Sequence, residues 1–339
     1  MKEARKRCSP PSGYDVAALA GVSQAAVSRA FTPGAVIAKE TRARVLVAAK
    51  KLDYRPNFLA RSLITGRSGI VGVVMGNPKN PFFITSLEAL SAGLSNIGKR
   101  MLVFTSEDQA CVADVHVEDL LKFRVDALLL MSANLSTAQI NKCRGAGIPV
   151  IFFNRMSRKP NGMWGVTGDN RHGGREIAQH LLQQGYRRLA YISGFTKSTT
   201  NLDRQSGFTE YVTGRGLPEP QCVEGHFQRE GTIAATRSLL SQRQRPDAIF
   251  CASDFMAMAT VEVARHEFGL TVGRDLGIVG FDGIEQAAWP SYDLTTYEQP
   301  VRAMVDSVVA IVDDPNAQRS ERIVLKGVLK IRGSTRRNE

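Results

Sequence analysis

The chain has 339 residues, 43% hydrophobic and 22% charged, with a net charge of +12. That length suits two or three domains, and the composition is too apolar for a disordered chain. No apolar run reaches the ~18 residues of a membrane helix, and the basic N-terminus has no apolar stretch behind it of the kind a secretory signal needs. The five cysteines are scattered without a CxxC pair and the histidines show no ligand spacing. Neither a disulfide framework nor a metal site follows, no cofactor is expected, and a reducing cytoplasm fits best.

The charge is uneven. Residues 1–67 hold thirteen Lys and Arg against four Asp and Glu, a surplus of +9 out of the total +12. A polyanion is the natural partner for that first fifth of the chain.

Residues 12–31 read SGYDVAALAGVSQAAVSRAF. Ser12 or Asp15 can cap a helix with Val16, Leu19 and Ala20 on one face. Gly21 permits the positive φ of a sharp turn, and Ser23 can cap a second helix. On that helix Val27 and Phe31 face inward, and Gln24, Ala25 and Arg29 face outward. This is the layout of a helix-turn-helix whose second helix enters the major groove. A third helix is predicted from about Lys39 to Leu52, with Val45, Ala48, Ala49 and Leu52 closing a small core. Pro56 ends it. Residues 57–66 can form one further short helix, capped by Asn57 and stopped at Gly66, too short to be stable alone in water.

The motifs GVSxxxVSRxF, ETRxRV and LDYRPNxLARSL resemble the N-terminal domain of the lactose-repressor (LacI/GalR) family of bacterial transcription regulators. The resemblance implies a helix-turn-helix DNA-binding domain over 12–56, a hinge helix over 57–66, and an effector-binding and dimerisation core over 67–339. It implies DNA contacts from Tyr14, Ser23, Gln24, Ala25, Arg29, Asn57, Ala60 and Leu63, with Leu63 wedged between base steps in the minor groove. Gln24 and Arg29 are the expected base readers, because Gln favours adenine and Arg favours guanine. The family usually has Ser-Pro where Ala38-Lys39 stand, so the third helix is expected to lack a side-chain cap worth ~1 kcal/mol. It often has Thr where Ala26 stands.

From Ser68 onward strands and helices alternate. Strands are predicted at 70–75, 101–105, 127–131, 150–153, 189–193, 248–252, 277–281 and 294–297. Helices are predicted at 170–184, 254–268 and 300–312, among others. Such alternation gives parallel sheets covered by helices. The expected fold class is α/β: an all-α helix-turn-helix domain followed by a core of two doubly wound parallel-sheet lobes. The resemblance implies that this core is built like a periplasmic sugar-binding protein. Lobe one is expected at about 68–166 plus 298–322, and lobe two at about 167–297 plus 323–339. No heptad tail follows Thr335, so no separate tetramerising coiled coil is expected.

Open parallel sheets bind ligands beyond the carboxyl ends of their strands. The polar residues there include Asn77, Asn80, Asn154, Arg155, Ser253, Asp254, Asp282 and Gln299, with Phe82 and Phe83 close by; Arg204 opens a helix. Amides, hydroxyls and carboxylates around an aromatic plane suit a polyhydroxylated ligand. The family's effector positions match Asn154, Arg204, Ser253, Asp254, Asp282 and Gln299 one by one, and Asn80, Phe82 and Phe83 complete the expected effector site. The family often has an acid at the first of these and an amide at the third.

No GxSxG elbow, GxxxxGK[ST] loop or HExxH motif is present, and no enzyme is expected. The expected function is a dimeric repressor on a near-palindromic DNA operator, controlled by a sugar, sugar acid or sugar phosphate. A cytoplasmic sugar-binding or sugar-processing protein with an incidental basic front end is the competing reading.

Overall fold

In the computed structural model, which describes residues 10–32, 34–55, 67–106, 114–133, 135–155, 163–314 and 322–336, the first helix is Gly13–Ala20. It begins on a reciprocal cap. The Asp15 N–H donates to the Ser12 hydroxyl, and the Ser12 N–H donates to the Asp15 carboxylate at 2.9 Å. Two orphan donors of the first turn are thereby satisfied. Gly21 stops the helix at φ 63°, in the left-handed region that glycine adopts without strain. Ser23 caps the second helix, Gln24–Ala30, by accepting from the Ala26 N–H at 3.2 Å. The third helix, Lys39–Lys51, starts at Ala38 with no side-chain cap. Arg42, one turn in, instead holds the preceding loop through a 3.1 Å bond to the Ala35 carbonyl.

Val16, Ala17, Ala20, Val27, Ala30, Val45, Ala48 and Ala49 form the buried core, with Phe31, Leu52 and Tyr54 packed around it. Leu19 does not join them. It is 51% exposed, because the buried stripe of the first helix runs through Val16, Ala17 and Ala20 instead. The expected hinge at 57–66, with Asn57, Ala60 and Leu63, lies outside the described residues. This helical unit is separate from a second unit that begins at Gly69.

The second unit is built on two six-stranded sheets. The first runs β11 (Arg322–Leu325), β5 (Trp164–Gly168), β4 (Val150–Phe153), β3 (Ala127–Met131), β1 (Ile70–Gly76), β2 (Arg100–Ser106). All of its described pairings are parallel. The second runs β12 (Val328–Lys330), β10 (Thr295–Glu298), β9 (Gly277–Asp282), β8 (Ala248–Cys251), β6 (Leu189–Ser193), β7 (Gln221–Glu224). It is parallel except for the β10–β12 pair. The central strands β1, β3, β4, β6, β8 and β9 are near-continuous apolar runs because helices cover both faces. Strands β5, β7, β11 and β12 carry no such run and were not predicted. Three of them are sheet edges with half-exposed side chains, and β5 holds two glycines in five residues.

The chain passes between the sheets three times: after β5, after β10, and in the two residues between β11 and β12. Each crossing is tied to its neighbours. The Asp169 N–H donates to the Leu325 carbonyl at 2.7 Å, and the Gly327 N–H donates to the Tyr297 hydroxyl at 2.9 Å.

Two glycines set the depth at which Arg204 sits. Helix Asn170–Gln183 packs against helix Thr199–Thr213. A Cβ on Gly207 would come within 2.0 Å of the Arg171 carbonyl oxygen, and one on Gly174 within 2.2 Å of the Arg204 carbonyl oxygen. Backbone cannot yield as a flexible side chain can, so Gly207→Ala forces the helices apart. A loss of about 1–3 kcal/mol is expected, read as a lower thermal midpoint. Gly145→Ala, which meets nothing within 4 Å, is the control and leaves the midpoint unchanged.

Candidate functional site

The ends of six strands, β1, β3, β4, β6, β7 and β9, converge on one cleft between the two sheets. Asn77 follows β1, Ser132 follows β3, and Asn154 and Arg155 follow β4. Phe195, Ser198 and Thr200 follow β6, Phe227 follows β7, and Asp282 ends β9; Asn80, Phe83 and Arg204 complete the lining. Asn77, Ser132, Asn154 and Phe227 sit at φ of 53–56°, and Asp282 at 132°. Non-glycine residues held there cost of order 1–3 kcal/mol each, and such strain gathers at binding sites.

The floor is a buried polar network. Arg204 is 2% exposed and Asp282 is 3% exposed. Arg204 Nη2 lies 3.5 Å from Asp282 Oδ1. Arg204 Nε donates to Asn170 Oδ1 at 2.8 Å, Nη1 donates to the Ala252 carbonyl, and the guanidinium lies 3.7 Å over the Phe281 ring. Asn170 donates in turn to Thr167 Oγ1 and to the Gly168 carbonyl, at the first crossing. Asp282 accepts from Gln299 Nε2 at 2.8 Å, at the second crossing, and from Asn80 Nδ2 at 3.4 Å. Asn80 also caps helix Pro81–Asn96 by accepting from the Phe82 N–H at 3.0 Å. One amide therefore starts a helix of the first lobe and reaches a carboxylate of the second.

Of the nine residues expected to hold an effector, five line the cleft: Asn80, Phe83, Asn154, Arg204 and Asp282. The other four lie behind it. Phe82 is buried and stacks on Phe153 with ring centroids 6.4 Å apart. Ser253 caps helix Asp254–His266. Asp254 accepts from the Gly283 and Ile284 N–H groups and from Thr296 Oγ1, fixing the turn that aims Asp282. Gln299 holds Asp282 directly. Ser132, Phe195, Ser198, Thr200 and Phe227 were not expected. The strand-end rule, applied to β3 and β6 as it was to β1, would have found all but Phe227. That residue follows β7, an edge strand with no apolar run.

In the helical unit Tyr14 is 70% exposed, and Gln24, Ala25 and Arg29 are exposed together on the second helix. Arg29 Nε donates to the Ala25 carbonyl at 3.3 Å. The Ser23 hydroxyl is engaged in the cap.

Family models match both units of the chain. Residues 68–315 match the model described as periplasmic binding proteins and sugar binding domain of the LacI family, and residues 14–57 match that of the bacterial regulatory proteins of the lacI family. The chain belongs to the LacI family of bacterial regulatory proteins. It is 29% identical over 310 residues to the HTH-type transcriptional repressor PurR of Erwinia tasmaniensis, covering 91% of both chains. It is 30% identical over 289 residues to the same-named repressor of Proteus mirabilis, covering 84% of both. Among solved structures it is similar to the transcriptional regulator CelR in complex with cellobiose (27% identity, TM-score 0.70, 96% of this chain and 99% of that one). It also shares its fold with the lac repressor dimer bound to operator and the anti-inducer ONPF (24% identity, TM-score 0.84, 96% and 99%). The LacI-family chain is thus a DNA-binding transcriptional regulator and not an enzyme. Among its described residues no group of three His, Cys, Asp or Glu is placed to hold a metal ion, and no helix is long and apolar enough to cross a membrane.

Burial raises the Asp282 pKa to about 6, against the pull of Arg204 and of the Gln299 and Asn80 amides. It raises that of Asp254 as well, and the Asp282 charge adds to the shift. The folded chain therefore keeps the Asp282 proton at pH values where an ordinary Asp near 3.8 has lost it. The stability this contributes is complete below about pH 4 and is lost as pH rises through about 6. Urea unfolding across that window is expected to show the native chain losing stability with rising pH relative to Asp282→Asn. A pH-independent difference between the two would show that Asp282 titrates normally.

Proposed function

We propose that this regulator is a repressor that acts as a homodimer in the cytoplasm and binds a near-palindromic operator, releasing or gripping it according to a small effector held in the cleft. The observation that carries the reading is the pairing of two sites in one chain. One is an exposed Gln24–Ala25–Arg29 face on a capped second helix. The other is a strand-end cleft whose floor is wired by hydrogen bonds to two of the three crossings. A dimer sets two such helices on successive major-groove faces, which is why the operator is expected to be near-palindromic. Tyr14, Ser23, Gln24, Ala25 and Arg29 are assigned to DNA. Asn57, Ala60 and Leu63, outside the described residues, are assigned to the hinge contact on the family likeness alone.

The effector is assigned to the class of sugars and their derivatives, since amides, hydroxyls and one carboxylate stand among three phenylalanine rings. Asn80, Phe82, Phe83, Asn154, Arg204, Ser253, Asp254, Asp282 and Gln299 are assigned to its site, the buried four as supports for the others. An effector acts on DNA affinity only through a difference in its own affinity for the two states of the core.

Operator binding by the purified chain is expected to fall steeply with salt, because each neutralised phosphate releases counterions. Arg29→Ala is expected to weaken a mapped operator by roughly 5- to 150-fold, the worth of one bidentate base contact. Leu63→Ala is expected to weaken it with little change in thermal midpoint. Fluorescence anisotropy measures all three, and unchanged affinity in Arg29→Ala removes that residue from the readers.

A further inference from the structure

We propose that the Phe227 ring, seated on Gly194, is a partition that limits the effector of this cleft to a single sugar ring. The proposal rests on the reading of the cleft as the effector site and names the size of what that site accepts.

A second cavity of about 340 Å³ adjoins the cleft. Small molecules bind in pockets of roughly 300–1,000 Å³, so this space is large enough to matter for a ligand. Asn77 and Phe227 line both cavities. Asn77 follows β1 of the first sheet and Phe227 follows β7 of the second, so the shared wall draws one residue from each lobe. Beyond it stand Pro78, Lys79, Gln228 and Phe255, a mixture of polar and apolar groups that suits a sugar. A second ring linked to one in the cleft has its room there, and the Phe227 side chain stands in the way.

The ring has a seat that only glycine provides. A Cβ on Gly194 would lie 1.9 Å from Phe227 Cε2 and 2.1 Å from Cζ. Gly194 directly follows β6, and its φ lies outside the left-handed region, so its backbone conformation does not call for glycine. The close approach of the ring does.

Both sides of this contact are fixed. The Gly194 N–H donates to Asn201 Oδ1 at 2.7 Å, and the same oxygen accepts from the Tyr191 hydroxyl at 2.8 Å. Asn201 and Tyr191 are both buried. Phe227 belongs to a turn in which the Gly225 N–H donates to the Ser193 carbonyl at 2.8 Å and the Gln228 N–H donates to the Gly225 carbonyl at 3.0 Å. His226 and Phe227 are both left-handed, at φ 59° and 55°. Residues other than glycine stay in that region where their surroundings over-determine them. Phe195, itself in the cleft wall, packs on the Phe227 ring with centroids 6.0 Å apart.

Such a partition selects by exclusion, since discrimination comes from a clash with the wrong ligand as well as from contact with the right one. A single-ring sugar keeps the Phe227 face as packing surface. A disaccharide has to displace a side chain that Gly194 and Phe195 hold in place.

The test uses the full chain as wild type, Phe227→Ala, Gly194→Ala and the double variant. Calorimetry compares D-glucose, D-galactose, D-galacturonate and D-glucose 6-phosphate, each against a disaccharide that carries it at one end: cellobiose, lactose, digalacturonate and cellobiose 6′-phosphate. Wild type is expected to bind at least one single-ring compound, and its disaccharide roughly tenfold more weakly or worse. Phe227→Ala is expected to weaken that compound roughly 2- to 12-fold, the worth of one aromatic contact, and to bind its disaccharide at least as tightly. Thermal melts read the seat. Gly194→Ala is expected to lower the midpoint by about 2 °C or more where Phe227 is present, and to leave it unchanged in the Phe227→Ala background, because the clashing ring is gone. An equal drop in both backgrounds overturns the seat. A disaccharide bound by wild type as tightly as its single-ring part, or no gain of disaccharide binding in Phe227→Ala, overturns the partition and leaves the cleft reading in place. Binding of none of these compounds by any of the four proteins overturns the sugar reading of the cleft and the proposal with it.

Discussion

A guanidinium and a carboxylate, both nearly removed from water, lie 3.5 Å apart at the floor of the cleft. Taking two such ions out of water costs several kcal/mol each, and their attraction repays it only where further hydrogen bonds satisfy the remaining donors and acceptors. Here most of them are satisfied. Asn170 and the Ala252 carbonyl hold Arg204, and Gln299 and Asn80 hold Asp282. The Phe281 ring covers the guanidinium face. Gly174 and Gly207 make room by letting two helices pack closer than any Cβ allows. What is left over lines the cleft: one guanidinium nitrogen and the strained backbone positions around it.

The same pair connects the cleft to the way the lobes are joined. Asn170 reaches Gly168 at one crossing, and Gln299 sits at the second. The Asn80–Asp282 bond spans the lobes at 3.4 Å, long beside the 2.8 Å bond from Gln299. A ligand hydroxyl donating to Asp282 competes first with that longer bond, because less is lost by replacing it. The carboxylate assigned to the effector site is thus also one that bridges the lobes. Ligand binding and lobe arrangement then draw on one set of lone pairs, which is the physical form of a coupling free energy.

The sequence made some of this legible and hid the rest for identifiable reasons. Buried central strands announce themselves as runs such as Ile70–Met75 and Ala127–Met131, because both of their faces are covered. Edge strands such as Gln221–Glu224 and Val328–Lys330 have one face or neither buried, so their pattern resembles a loop. Missing β7 meant missing Phe227. The caps at Ser12 and Ser23 follow from side-chain chemistry three residues ahead and are local, so they could be read directly. Leu19 could not, since which flank of a short helix is covered depends on where two other helices approach. Asp254 shows the limit most clearly. Its place at a strand end marked it as a ligand group, but its carboxylate is consumed by two backbone N–H groups and a threonine hydroxyl. A one-dimensional pattern locates a polar residue near a site. It does not show whether that residue's valences are already spent within the fold.

The distinction between spent and unspent groups also explains how one fold can serve different effectors. Arg204, Asp282, Gln299 and Asn170 are committed to one another, and changing any of them strands a buried partner at a cost of about 3–5 kcal/mol where a charge is left alone. Asn77, Ser132, Asn154 and Phe227 stand at strand ends around that frame, and none supplies a described hydrogen bond to the Arg204–Asp282 pair. Their side chains can be exchanged without dismantling the floor. Exchange at this rim would change what the cleft can recognise while leaving the buried floor intact.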